Sequence, residues 1–310
     1  MKKFATIALT LAMAAASACA SATTVGICQL VQHEALDAAT QGFKDALTEK
    51  MPDVKFDEQN AAGDAATCVT ITSKFAADGV DLILANATSP LQAAVSATGD
   101  IPILGTSITD YATALGMKEW NGTTGINVSG TSDLAPLDGQ ASMIQELFPE
   151  AKNIGLLYCS AEANSVYQIT MIKGYLEEMG YTCTEFAFTD SNDVASVTQS
   201  AADSSDVVYI PTDNTAAAYT ETIANVLIPA KVPAVVGEEG ICKGCGVATL
   251  TISYYDLGYK TGEMAYDILA NGADVSTMKI ESAPNFTKKY NAVNAEALGL
   301  TMPADYVAIE

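Results

Sequence analysis

The chain has 310 residues, 49% of them apolar, and a formal net charge of −22 at pH 7. Such acidity argues against nucleic acid and anionic lipid headgroups as partners, because like charges repel. All 15 basic residues are lysines, and the absence of arginine excludes a bidentate guanidinium clamp on a ligand carboxylate. An anionic ligand group would have to be held by hydroxyls, by lysine or by N–H groups at helix N-termini.

Residues 1–22 have the pattern of a secretory signal peptide. Met1-Lys2-Lys3 precedes an apolar run over residues 4–16, and small residues with A-x-A frames follow. The run is short for a membrane-spanning helix, although a transmembrane anchor is the alternative. Residues 16–19 also resemble a degenerate lipoprotein signal ending in Cys19. We therefore expect export, with the protein either free in the periplasm or lipid-anchored through Cys19 at the outer face of the cytoplasmic membrane.

The next part of the chain alternates short β-branched runs with longer helical patterns. The predicted strands are 24–30, 54–59, 80–85, 101–105 and 124–128, and the predicted helices are 34–50, 64–77 and 90–98. Such alternation is typical of parallel strands joined by right-handed helical crossovers.

After Ser129-Gly130 the same pattern starts again. The predicted strands are 153–158, 182–188, 206–210, 234–236 and 248–252, and the predicted helices are 134–147, 163–179, 194–203 and 214–230. Two such arrays in series predict an α/β fold with two similar lobes, each built on a parallel sheet.

Polar residues cluster where the predicted strands end. Residues 86–89 and 106–107 do so in the first array, and residues 160–162, 211–215 and 238–239 do so in the second. Ligands of open parallel sheets bind beyond the carboxyl ends of the strands, so the two arrays would face each other across a cleft. For any one of these residues, ordinary helix capping by Ser, Thr or Asp is the more common explanation, and capping and ligand binding can coexist at one helix N-terminus.

Several segments, in this order and spacing, carry a family resemblance. They are His33-Glu34-Ala35-Leu36-Asp37, Asn60-Ala61-Ala62-Gly63-Asp64, Ala87-Thr88-Ser89-Pro90, Gly130-Thr131-Ser132-Asp133-Leu134, Ser160-Ala161-Glu162-Ala163-Asn164-Ser165, Pro211-Thr212-Asp213-Asn214-Thr215, Tyr254-Tyr255-Asp256-Leu257-Gly258 and Ala297-Leu298-Gly299-Leu300-Thr301. On these segments the mature chain resembles, almost end to end, ABC-transporter substrate-binding proteins of the tryptophan, tyrosine and phenylalanine uptake type. Two departures are Glu34, where the family usually has proline, and Cys242-Lys243-Gly244-Cys245, which the usual loop after the fourth strand of the second lobe lacks.

The resemblance implies a type I periplasmic-binding-protein fold, with two Rossmann-like lobes joined by three crossings. The implied lobes are residues 23–128 with 253–276, and residues 129–252 with 277–310. It also implies a non-enzymatic receptor that closes on an amino acid, most simply an aromatic one, and delivers it to ABC permease subunits. We expect a monomer without cofactor or metal. A sugar, nucleoside or other small solute, and an exported enzyme using the same cleft, are the alternatives.

An α-amino acid presents a carboxylate and an ammonium group to such a cleft. The candidates for the carboxylate are Thr88, Ser89, Thr106 and Ser165. For the ammonium group Asp213 is the first candidate, with Asp133 and Glu238 behind it. Asn214 could complete the polar ring, and Glu162 and Asn164 join the predicted site from the facing lobe. Tyr111, Trp120, Tyr158 and Tyr254 could stack on an aromatic ligand, and core packing or ordinary surface exposure is the more common role of such residues.

Histidine and cysteine side chains could bind a metal or act as nucleophiles, and the sequence offers few motifs for either. His33 is the single histidine, so a multi-histidine metal site is excluded, and Walker A, G-x-S-x-G and H-E-x-x-H motifs are absent. A role for His33 at the cleft rim, or paired with a nucleophile, stays open. For Cys242 and Cys245 we rank a local disulfide first, free thiols second, and metal or redox work third.

Overall fold

A computed structural model describes residues 22–283 and 285–309. Cys19 and all but the last residue of the predicted signal peptide lie outside the described residues. None of the helices within the described ranges is long and apolar enough to cross a bilayer.

The first lobe is a parallel sheet flanked by helices. Its elements are β1 (Thr24–Gln29), α1 (Glu34–Lys50), β2 (Lys55–Asn60), α2 (Ala65–Asp78), β3 (Leu82–Asn86), α3 (Thr88–Ala97), β4 (Ile103–Ile108), α4 (Tyr111–Leu115), β5 (Val128–Ser132) and, from later in the chain, α11 (Tyr254–Asn271) and β11 (Glu281–Ser282). The strand order is β11-β5-β4-β3-β1-β2, and every pairing is parallel.

The second lobe repeats this plan. Its elements are α5 (Leu137–Leu147), β6 (Asn153–Cys159), α6 (Ala163–Glu178), β7 (Thr182–Phe188), α7 (Val194–Ser204), β8 (Val207–Ile210), α8 (Asn214–Ala218), α9 (Thr220–Ala230), β9 (Ala234–Val236), α10 (Glu239–Gly244), β10 (Ala248–Thr251), β12 (Thr287–Tyr290), α12 (Ala292–Leu298) and β13 (Val307–Ala308). The strand order is β13-β12-β10-β9-β8-β6-β7, and only β10 and β12 run antiparallel.

The central strands of each sheet are buried on both faces, as parallel sheets require. In β1, Val25 and Ile27 pack with Phe43 of α1, whereas Cys28 belongs to the apolar cluster that contains Phe75 of α2. The second sheet likewise separates two buried clusters. The apolar core of each lobe therefore lies between its sheet and its helices, and the polar residues that follow the strands lie at one edge of the lobe.

The chain passes between the lobes three times: from β5 to α5, from β10 to α11, and from β11 to β12. The sheet topology places the boundaries between the lobes at other residues than the sequence predicts. Val128–Ser132 is the fifth strand of the first sheet, and Glu281–Ser282 pairs beside it, so both segments belong to the first lobe. The predicted strand 124–128 is placed four residues too early, because the polar, glycine-containing sequence of β5 lacks the apolar run used to locate strands.

Two further elements differ from the prediction. The helix expected over 214–230 is interrupted at Tyr219, which separates α8 from α9. The segment around Cys242, which is not among the predicted helices, forms α10. Glu238 starts this helix by accepting hydrogen bonds from the N–H groups of Gly240 and Ile241.

Candidate functional site

The carboxyl ends of the strands in the two lobes face each other and touch. His33 Nε2, at the start of α1, lies 3.3 Å from Asn214 Oδ1, at the start of α8. Gln168 Nε2 lies 3.4 Å from Thr109 Oγ1, and Lys243 Nζ lies 3.5 Å from Glu34 Oε1. Because each contact joins one lobe to the other, the structure shows the cleft closed.

A small polar cavity, which we call the central cavity, is enclosed between the rims. Its volume is about 20 Å³, room for about one water molecule. It is lined by His33, Ala35, Leu36, Ser107, Thr109, Asp133, Asn164, Thr212, Asp213, Asn214, Ala217, Glu238 and Tyr254. A larger space, the outer cavity, measures about 430 Å³ and also reaches Asn214.

Three buried polar atoms at the central cavity have no hydrogen-bond partner: His33 Nδ1, Ser107 Oγ and Thr212 Oγ1. Unpaired buried polar atoms are rare, because each loses its hydration without replacement. All three atoms belong to residues that line one cavity, and a polar ligand bound there could supply the missing partners.

Asp133 is the carboxylate of the cavity with the weakest set of partners. It is 5% exposed and accepts hydrogen bonds from Thr109 Oγ1 at 3.2 Å and Tyr254 OH at 2.8 Å. Both donors are neutral, and none of the lysines in the described ranges pairs with it or lines either cavity. Burial raises the pKa of Asp133 above its ordinary value. A cationic ligand group would relieve this burial of an uncompensated charge.

Asp213, the first candidate for the ammonium group, already accepts three hydrogen bonds from residues of its own lobe. Its Oδ1 accepts from Ala216 N at 2.8 Å, and its Oδ2 accepts from Cys159 N at 2.6 Å and Ser165 Oγ at 2.7 Å. Burial, with Glu162 nearby, raises the pKa of Asp213 to about 7. These bonds make Asp213 the N-cap of α8. They also engage the Ser165 hydroxyl, which is therefore not free to donate to a ligand carboxylate.

The other two predicted acids also serve helix N-termini. Glu162 accepts from the backbone and side chains of Asn214 and Thr215 at 2.7–3.0 Å, with Asn164 Nδ2 at 3.2 Å. Glu238 caps α10, and its burial raises its pKa to about 7. All four predicted acids thus line one or both cavities, and Asp133 alone among them accepts no hydrogen bond from the backbone N–H of another residue.

Two residues of the first lobe near the cleft have a strained backbone conformation. Ala87, just before α3, has φ 98°, and Ser107, near the end of β4, has φ 57°. Such backbone strain in residues other than glycine is concentrated at functional sites. After Ala87, Thr88 and Ser89 provide the first N–H groups of α3, which have no partner in their own helix. Ser89 lines the outer cavity, and Thr88 is buried next to it in sequence.

Ser107, and not the predicted Thr106, lines the central cavity. Thr106 is fully buried, with its hydroxyl 3.3 Å from that of Thr131 inside the sheet. The next residue, Ser107, lines the central cavity, and its buried hydroxyl has no hydrogen-bond partner. Ser107 has a left-handed backbone conformation, and the pairing of β4 with β5 is irregular between Gly105 and Ile108, so these two neighbouring residues have different surroundings.

The outer cavity is larger than the central cavity and has more apolar groups in its wall. Its wall combines apolar groups of both lobes, Leu30, Val31, Ala161, Ala218 and Tyr219, with polar groups at its edges. Its volume lies within the ~300–1,000 Å³ range of small-molecule pockets. The two cavities together therefore pair a polar subsite with a more apolar one.

Among the four aromatic candidates, Tyr254 alone lines the central cavity. Tyr111 is buried and stacks on Trp120, with ring centroids 6.5 Å apart. Tyr158 donates to Glu185 Oε2 at 2.9 Å and reaches neither cavity. The rim residues Thr109, Thr212 and Gln168 were not singled out from sequence. Thr212 lies inside the Pro211–Thr215 motif, which was the available signal.

The expected disulfide between Cys242 and Cys245 is not formed. Both thiols are buried in the core, and the Cys245 thiol donates to Ile241 O at 3.4 Å in its own helix. We predict that a thiol reagent labels Cys183 first in the folded protein, since it is the one partly exposed cysteine among those the structure describes. All six described cysteines should label after denaturation without reductant. Peptide mapping that finds Cys242 and Cys245 unlabelled would contradict this assignment.

Comparison with known proteins identifies the class that this cleft belongs to. The family model for ABC transporter substrate binding proteins matches residues 24–308. The chain belongs to this family, and its architecture is that of the type I periplasmic binding proteins.

Among curated relatives, a tyrosine-binding protein of Clostridioides difficile is 38% identical over 249 residues, covering 79% of this chain and 72% of the relative. A solved ABC domain from Streptococcus pneumonia in complex with L-Trp is 32% identical, with a TM-score of 0.87 over 92% of this chain and 97% of that one. A ligand-free, open substrate-binding protein from Clostridium difficile is 37% identical, with a TM-score of 0.71 over 93% of this chain and 99% of that one. The closed arrangement seen here therefore resembles the tryptophan complex more than the open form.

Proposed function

We propose that this protein captures an aromatic L-amino acid between its lobes and presents it, unchanged, to an ABC permease. The observation that carries the proposal is Asp133, a buried carboxylate at the central cavity with no cationic partner in the described part of the chain. An ammonium group supplies the missing positive charge. Phosphorylated or other anionic ligands would instead add negative charge to a cavity that already holds three acids.

The carboxylate and the aromatic side chain of the amino acid also have receptors in the cleft. The Ser107 hydroxyl and the N–H groups of Thr88 and Ser89 are the receptors we assign to the carboxylate, since a helix N-terminus attracts anions. The aromatic side chain would extend into the outer cavity, against Leu30 and Tyr219. The tyrosine-binding and tryptophan-bound relatives support this ligand class.

The cysteine at the outer cavity is not activated for nucleophilic attack. Cys159 is the cysteine that lines the outer cavity, and burial with Asp213 nearby raises its pKa to about 11. A protonated thiol is a weak nucleophile. The proposal accordingly includes binding without turnover, by an exported monomer that is either released or anchored through Cys19.

A ligand screen tests the proposal. Thermal unfolding should be followed with each of the twenty L-amino acids, with glucose, galactose and myo-inositol, and with nucleosides. We expect tyrosine, tryptophan or phenylalanine to raise the midpoint, because a ligand of the folded state stabilises it by mass action. Recovery of the intact ligand confirms the absence of chemistry. Stabilisation by a sugar or a nucleoside alone would contradict the proposal.

A further inference from the structure

His33 makes one hydrogen bond across the cleft, and the geometry around it fixes which ring nitrogen carries the proton. Asn214 Nδ2 donates to Glu162 Oε2 at 2.7 Å, and a carboxylate oxygen can only accept. The amide of Asn214 is therefore oriented with Oδ1 towards His33. Since Oδ1 is an acceptor, His33 Nε2, 3.3 Å away, must be the donor.

The other ring nitrogen is then available. Burial lowers the pKa of His33, although Asn214, Glu162 and Asp37 partly oppose this shift, so the ring is neutral near pH 7. In a neutral ring protonated at Nε2, Nδ1 carries a lone pair and accepts hydrogen bonds. His33 Nδ1 is buried without a partner, and His33 lines the same central cavity as Asp133.

We propose that His33 Nδ1 is a second acceptor for the ammonium group of the ligand, next to Asp133. This inference rests on the proposed function. An ammonium group has three N–H donors, so a single carboxylate oxygen leaves donors unsatisfied in a water-sized space. The same ring also links lobe one to Asn214 of lobe two, which joins ligand recognition to closure.

Two substitutions separate the ring nitrogens. His33→Gln can place an amide N–H near the position of Nε2, which preserves a donor to Asn214 while removing the group at Nδ1. His33→Asn can place a carbonyl oxygen near the position of Nδ1, which preserves the acceptor while losing the reach to Asn214. Each variant therefore serves as the control for the other.

Calorimetric titration with L-tyrosine, 3-(4-hydroxyphenyl)propanoate and tyramine tests the inference. The second compound lacks the ammonium group, and the third lacks the carboxylate. We expect His33→Gln to weaken tyrosine and tyramine by about tenfold, the effect of one hydrogen bond to a charged group, and to leave the propanoate unchanged. His33→Asn should retain the preference of the wild type for tyrosine over the propanoate.

The outcomes distinguish this inference from the proposed function. If the wild type binds tyrosine and His33→Gln leaves the ratio of the tyrosine and propanoate affinities unchanged, the His33 assignment fails and the proposed function stands. If His33→Gln weakens the propanoate but not tyramine, Nδ1 contacts the carboxylate instead and the assignment fails. If the wild type binds no aromatic amino acid, both fail. Unfolding midpoints of the two variants close to that of the wild type confirm that the effects are on binding.

Discussion

Asp133→Asn is expected to weaken binding of the aromatic amino acid by about a hundredfold, which corresponds to ~2.8 kcal/mol. The substitution keeps the size of the side chain and removes the negative charge that faces the ammonium group. Disrupting a buried, hydrogen-bonded charge pair has effects of about this size or larger. Isothermal titration calorimetry with L-tyrosine measures the loss directly.

The stability of the variant separates binding from folding. Ionised Asp133 is disfavoured in the ligand-free protein, because burial raises its pKa. An asparagine could still accept from Tyr254 or Thr109, so we expect an unfolding midpoint no lower than that of the wild type. Asp110→Asn is the matched control, because Asp110 caps α4 through the Thr113 N–H and lines neither cavity. Asparagine is an equally good cap. Equal affinity of Asp133→Asn and wild type would exclude the assigned role.

Gly258→Ala is expected to lower the free energy of unfolding by about 3 kcal/mol, through overpacking of two helices. A Cβ atom at Gly258 in α11 would lie 1.9 Å from the backbone oxygen of Ala39 in α1. Gly42 and Gly262 make similarly close approaches on the same pair of helices, with added Cβ atoms 2.1 and 2.5 Å from backbone oxygens. The contacts are to backbone, so a rotamer change would not relieve them.

The matched control for this change is Gly174→Ala. Gly174 lies inside α6, and an added Cβ would meet nothing within 4 Å. Alanine there should stabilise the protein by about 0.5–1 kcal/mol, because it restricts the unfolded chain and favours helix. Urea unfolding of both variants provides the comparison. A Gly258→Ala protein as stable as Gly174→Ala would show that α1 and α11 are not packed as described.

The fold could be predicted from sequence because parallel strands, buried on both faces, are continuous apolar runs. Val25, Ile27 and Leu84 are fully buried members of such runs. The prediction was less accurate where the sequence is polar or glycine-rich. Val128–Ser132 forms a strand because its neighbours in the first sheet provide pairing partners, and that information is not local.

The site could be predicted only as a set of strand ends. Asp133 and Asp213 both follow strands and are both acids, and sequence ranked Asp213 first. What separates them is the number of backbone N–H groups that each already binds, and this depends on where Cys159 and α8 lie. His33 shows the same limit, because its free nitrogen follows from contacts with a residue 181 positions away in the chain.

A crystal structure of the protein with the amino acid selected by the ligand screen is the most direct test of the central claim. We expect the ligand between the closed lobes, its ammonium nitrogen within hydrogen-bond distance of Asp133, and its ring in the outer cavity. Electron density for the ligand outside the interlobe cleft, or an ammonium group that contacts neither Asp133 nor any other acid of the central cavity, would contradict the account.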